Sequence, residues 1–263
     1  MVFSRRARVS MVLLMLSSAA SADRQDMDRL LALSGDTALA SMAHGRVLEV
    51  DDAVKAKLGE ALAAKLQLRL EAASTSALFQ DAAATALEKK RDEAALKASF
   101  AFFQSPLFQR IQKAEEASET DAGQKEFEAF MERIEEQKIS KAREALVNDL
   151  VIKTGLLAEV LAVFAQALEV QMRSANTLLP ANKAWSDKGI AEAVAANRKE
   201  MGSQMQMYLT ANLLYTYKGI KDAELKQYVD FLLSKGGQWY KSGLLAGIGA
   251  GYQTVVKKAA TGK

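Results

Sequence analysis

Asp92 to Gln109, DEAALKASFAFFQSPLFQ, returns in altered form as Lys221 to Gln238, KDAELKQYVDFLLSKGGQ. At a constant separation of 129 residues, Ala94, Leu96, Lys97, Phe102, Ser105 and Gln109 meet Ala223, Leu225, Lys226, Phe231, Ser234 and Gln238. Six identities at one offset mark an internal duplication. Leu96, Phe100 and Phe103 fall at i, i+4, i+7 spacing, as do Leu225, Val229 and Leu232, so each copy opens as an amphipathic helix with one apolar face. Ser105-Pro106 then signals a new helix. The serine hydroxyl can accept from orphan N–H groups of the next turn, and proline at the first helical position has no N–H to lose. In the second copy Ser234 is followed by Gly236 and Gly237, whose backbone freedom supplies the corner instead. The repeated unit is helix, tight corner, helix.

These residues resemble the bacterial family catalogued as domain of unknown function 2059, whose signature is an acidic-Leu helix running into Phe-aromatic-x-Ser-x-x-Gly. The first copy keeps Phe102, Phe103 and Ser105 but carries Phe108 in place of glycine. The second keeps Phe231, Ser234 and Gly237 but carries Leu232 in place of the second aromatic. The resemblance implies a secreted, all-helical envelope protein and brings no catalytic residue with it.

A second register extends the repetition. Thr154-Gly155 and Leu168-Glu169-Val170 follow Ser34-Gly35 and Leu48-Glu49-Val50 at a separation of 120, so about nine residues are inserted before the later match. Their natural place is Leu179 to Trp185, where Pro180 breaks the helical pattern. The expected fold is all-α, a multi-helix bundle of two related halves, residues 23–138 and 139–263. Two prolines in 263 residues, with abundant Ala, Leu, Glu, Lys and Gln, favour helix nearly everywhere. Val151 to Val170 is the most apolar of these helices. Asp36 is the expected N-cap of a helix running to about Val50. Phe127, Phe130, Met131 and Ile134 line one face of a connecting helix whose other face carries Glu126, Glu128, Glu132, Glu135 and Glu136.

Residues 1–22 read as a secretory signal peptide: Arg5, Arg6 and Arg8 form the basic start, Val9 to Leu16 the apolar middle, and Ala20-Ser21-Ala22 the cleavage site. Cleavage between Ala22 and Asp23 delivers a periplasmic or secreted chain with no transmembrane anchor. The 35 basic residues exceed the 32 acidic ones by those three arginines, so the exported part is formally neutral. No basic block interleaved with aromatics points to nucleic acid. Without cysteine the chain has neither disulfides nor a thiol nucleophile.

His44 is the only histidine, and no H-E-x-x-H or other ligand spacing surrounds it, so no metal and no cofactor are expected. Gly247-Ile248-Gly249-Ala250-Gly251 lacks the Lys-Ser/Thr ending of a phosphate loop and reads as small residues for close helix packing. All six tyrosines and both tryptophans fall beyond residue 184, preceded or accompanied by Met201, Met205 and Met207. Polar-tipped aromatics suit surfaces that are apolar at one end and wet at the other. Tyr208, Tyr215, Tyr228, Trp239 and Tyr240 are therefore the candidate binding surface, for another envelope protein or an apolar small molecule. The alternative is an enzyme using the duplicated carboxylates Glu49 and Glu169.

Overall fold

The computed structural model describes residues 23–35 and 37–261, so the stretch read as a signal peptide, residues 1–22, and the expected N-cap Asp36 lie outside the described residues. The chain is all-α, and no strand occurs among the described residues. The helices are α1 (23–34), α2 (Thr37–Leu48), α3 (Asp52–Leu58), α4 (Glu60–Ala73), α5 (Ser76–Lys89), α6 (Glu93–Phe103) and α7 (Pro106–Glu119). They continue with α8 (Asp121–Glu132), α9 (Lys141–Asn148), α10 (Leu156–Asn176), α11 (Asp187–Thr216), α12 (Asp222–Leu233) and α13 (Lys235–Thr261). The 27 residues of α13 make it about 40 Å long, and it runs through both main apolar clusters.

One cluster joins α1, α6, α7, α9, α12, the end of α11 and the start of α13, with Met27, Leu30, Ile111, Val147 and Leu225 fully or almost fully buried. The other joins α2, α3, α4, α10 and the end of α13, around Val47, Leu66, Leu70, Val163 and Val255. Each cluster draws residues from both sides of position 138.

The close packing expected of the glycine run is present where α13 crosses α5. A Cβ on Gly243 would lie 2.3 Å from Leu87 Cδ2, on Gly247 2.3 Å from Ala83 Cα, and on Gly251 2.5 Å from Phe79 Cδ1. Tyr252 completes this seam, its ring 5.1 Å from Phe79 and its hydroxyl donating to the carbonyls of Ala43 and Val163.

The two stretches related by the 129-residue offset lie against each other. Phe102 and Phe231, which that offset matches, stack with centroids 3.9 Å apart and planes 4° from parallel. Lys235 at the start of α13 pairs with Asp92, the N-cap of α6, at 2.7 Å, while Arg110 of α7 pairs with Glu224 in the first turn of α12 at 2.5 Å. Lys235 first, then the Ala95 N–H, holds the Asp92 carboxyl below the usual carboxylate range.

Both corners are capped by their serines, which accept from Phe108 N–H and Gly237 N–H. A third corner of the same kind divides the expected connecting region at Thr120, which accepts from Gly123 N–H. At Thr120 and Ser234 a single residue ends one helix and starts the next. The fold is then so tight that a Cβ on Gly123 or Gly237 would stand 2.2 Å from the carbonyl oxygen six residues back. Gln104 intervenes at Ser105, and there Phe108 fits.

The apolar stretch Val151 to Val170 is not one helix. A π-helical turn spans Asp149–Lys153, and Gly155 at φ 86° in the left-handed region turns the chain before α10 begins at Leu156. Gly35, at φ 75°, makes the corresponding turn before α2. Pro180 lies in the non-helical connection between α10 and α11, as its pattern predicts. Among the described residues no single helix is long and apolar enough to cross a membrane; Lys141–Lys153 and Leu156–Asn176 reach that length only together, across a 42° bend.

Candidate binding cavity

Where α7, α10, α11, α12 and α13 converge on the α1–α2 turn, their side chains leave a half-enclosed cavity of about 630 Å³. Helix periodicity places its walls. Lys241 and Leu245 project from α13 on the side away from the glycine seam, Tyr240 and Leu244 reach the cavity from the seam's margin, and Gln112, Glu115, Glu116 and Glu119 come from successive turns of α7. Phe103, Phe108, Leu39, Leu213 and Val160 supply apolar surface.

The polar groups are tied to one another. Tyr217, 3% exposed, donates its hydroxyl to Glu115 Oε1 at 2.5 Å. Burial above all, with Tyr228 and the Glu115 carboxylate beside it, holds the Tyr217 phenol well above its ordinary value, so it stays a neutral donor. Ser34 and Tyr240 share a short hydrogen bond. Lys241 lies 2.8 Å from the Glu159 carboxylate and also donates to the Thr154 carbonyl, one of the groups released where the helix breaks at Gly155. Gln112 donates to the Leu33 carbonyl at 3.1 Å, closing the end of α1.

The five aromatic residues singled out in the sequence do not form one surface. Tyr228 and Tyr240 line the cavity. Tyr208, 47% exposed, meets the edge of Phe127, and the buried Tyr215 donates to Glu126 at 3.0 Å. Those two belong to a satellite contact between α8 and α11, where Phe130, Met131 and Ile134 also pack. Lys218 first, then Tyr215, keeps the Glu126 carboxyl below its usual range. Trp239 is half-buried and donates its indole N–H to the Lys90 carbonyl at 2.7 Å, closing the end of α5.

Tyr217, Glu115, Lys241 and Glu159 are cavity residues that sequence reasoning did not select. The Gly155 break is their one advance signal, since it opens a carbonyl toward Lys241. Glu49 and Glu169 each pair with an arginine of the same local segment, Arg46 and Arg173, and neither lines the cavity. His44 is half-buried and bonds Ser74 through Nδ1 at 2.8 Å. Among the described residues no group of three or more His, Cys, Asp or Glu side chains is placed to hold a metal ion.

No family model, no curated protein and no solved structure matches this chain.

Proposed function

We propose that the protein is a non-enzymatic binding protein of the cell envelope that holds an apolar small molecule in the cavity between α7, α10, α11 and α13. The cavity carries the proposal. Its volume of about 630 Å³ falls within the roughly 300–1,000 Å³ of small-molecule sites, and it combines an apolar lining with a few oriented polar groups, as such sites do. A signal peptide ending at Ala22, two related helical halves and membership of the family resembled by Phe102-Phe103-Ser105 and Phe231-Ser234-Gly237 belong to the same reading. An exported binding protein needs no catalytic group, and in the cavity Glu115 accepts from Tyr217 while Glu159 pairs with Lys241.

Native mass spectrometry of the protein purified from the periplasm tests this reading. A co-purifying mass in the metabolite or lipid range, lost when Leu213 or Val160 is enlarged to Phe, is the expected result. A bare protein that also takes up no apolar probe overturns it.

A further inference from the structure

Resting on that reading of the cavity and of the chain as two related halves, we infer that the cavity lies on an approximate two-fold axis between the halves. Its ligand is then an amphiphile with one polar end, held in a single orientation by the positions at which the halves differ.

The first observation is a pattern of returned contacts. Under a two-fold axis a contact from one half to the other recurs with the roles exchanged, and a residue meets its own counterpart only at the axis itself. The 129-residue separation matches α6 with α12 and α7 with the start of α13. Asp92 of α6 pairs with Lys235 of α13 at 2.7 Å, and Glu224 of α12 pairs with Arg110 of α7 at 2.5 Å, so the tie is made in both directions. Phe102 and Phe231, matched at that separation, stack on each other.

The second observation lies within each half. Gln112 donates to the Leu33 carbonyl, and Lys241, 129 residues further on, donates to the Thr154 carbonyl. Each contact holds the turn made by a left-handed glycine, Gly35 or Gly155, ahead of α2 or α10. Different side chains do the same task at matched positions.

The third observation is the lining. Gln112 and Lys241, Glu115 and Leu244, and Glu116 and Leu245 are each 129 residues apart, and all six line the cavity. Matched positions of α7 and α13 therefore meet one space, and two consecutive glutamates on α7 answer two consecutive leucines on α13. Leu244 is buried and Leu245 half-buried, whereas Glu116 is exposed and Glu115 accepts from Tyr217. An apolar chain is stabilised against the α13 leucines, while a polar end beside the exposed Glu116 stays hydrated. A molecule polar at both ends would have to bury one of them against leucine.

Calorimetric titration of the purified protein with n-octanol and 1,8-octanediol compares one polar end with two. Octanol is expected to bind the wild-type protein at least about tenfold more tightly. Leu245→Glu gives both walls the same residue; it is expected to cost octanol about tenfold and to bring the two ligands within about threefold of each other. Adding Glu116→Leu exchanges the walls, and an axis through the cavity returns octanol to within about threefold of its wild-type affinity. Circular dichroism of both variants confirms that the helices are intact. A double variant no better than the single one, or a Leu245→Glu protein that binds octanol as the wild type does, would overturn the axis and leave the pocket standing. A wild-type protein that binds aminoanthracene but no octanol would overturn the amphiphile alone. One that binds none of these probes would overturn the pocket as well.

Discussion

Along one face of α13, Gly243, Gly247 and Gly251 let α5 approach until one added carbon would collide with Leu87, Ala83 or Phe79. On the opposite face of the same helix, Lys241 and Leu245 border a space of about 630 Å³ shared with α7, α10 and α11, which Tyr240 and Leu244 reach from the margin of the seam. The same helix therefore packs to backbone contact on one side and leaves room on the other. The chain has the means to close a gap with small residues, and at the cavity it uses large, polar-tipped ones. The cavity is thus a property of particular side chains rather than of loose packing throughout.

The sharpest way to break this comparison is to add one carbon on each side of α13. Gly247→Ala drives a Cβ into the Ala83 backbone, which cannot rotate away, and is expected to cost about 3 kcal/mol by chemical denaturation. Gly249→Ala meets only the Gln166 side-chain oxygen at 3.3 Å, which can move, and is expected to gain about 0.5–1 kcal/mol from helix propensity. Equal effects at the two positions would mean that the seam is not close-packed.

Next in size is Gln171, 2% exposed on α10. Its amide donates to the carbonyls of Arg46, Val47 and Glu49 at the end of α2, and its oxygen accepts from Asp51 N–H. Gln171→Ala leaves these groups without their partner and is expected to cost about 2 kcal/mol. A loss confined to the smaller effect of an exposed substitution would show that water replaces the amide without penalty.

A pH titration probes Tyr217 on the cavity side and Tyr252 on the seam side together. Burial raises both phenols above their ordinary value, so their neutral forms support the fold fully below the unfolded value of about 10. Stability is expected to decline as pH rises beyond that, through the folded values. Tyr252→Phe and Tyr217→Phe should each flatten the alkaline decline in melting temperature; an unchanged slope would remove the residue from the account. Smaller again is the coupling between Phe102 and Phe231, expected at about 1 kcal/mol in a double-mutant cycle with Ala, and near zero if the rings do not pack as the geometry shows.

The helices and their capping residues were legible because they depend on neighbours in sequence. Ser105 declares itself by type and by the proline just after it, and the α13 glycines by their spacing of four, whereas Asp92 and the capping role of Ser234 were not picked out. Thr120 was equally legible in principle. Thr-Asp-Ala-Gly-Gln repeats the pattern Ser-Lys-Gly-Gly-Gln at Ser234, and in both the glutamine amide donates to the carbonyl six residues back. It was hidden inside a continuous amphipathic pattern, which proceeds through a corner without changing period. The cavity was not legible, since Glu115, Thr154, Tyr217 and Lys241 meet across separations that no local rule reaches. Of the aromatic residues, composition located the half of the chain but not the wall. A tyrosine at helical spacing is the same signal whether it faces Phe127, as Tyr208 does, or Phe103, as Tyr240 does.

The central claim, that the space beside α13 receives a ligand, is tested most directly by filling it. Val160→Phe places a ring into the cavity from a half-buried position on α10 and is expected to change stability by no more than about 1 kcal/mol. Fluorescence titration with aminoanthracene, which brightens on leaving water, should saturate at one site in the wild-type protein and lose at least about tenfold in affinity in the variant. Equal affinity for the two proteins would place any binding elsewhere and contradict the account.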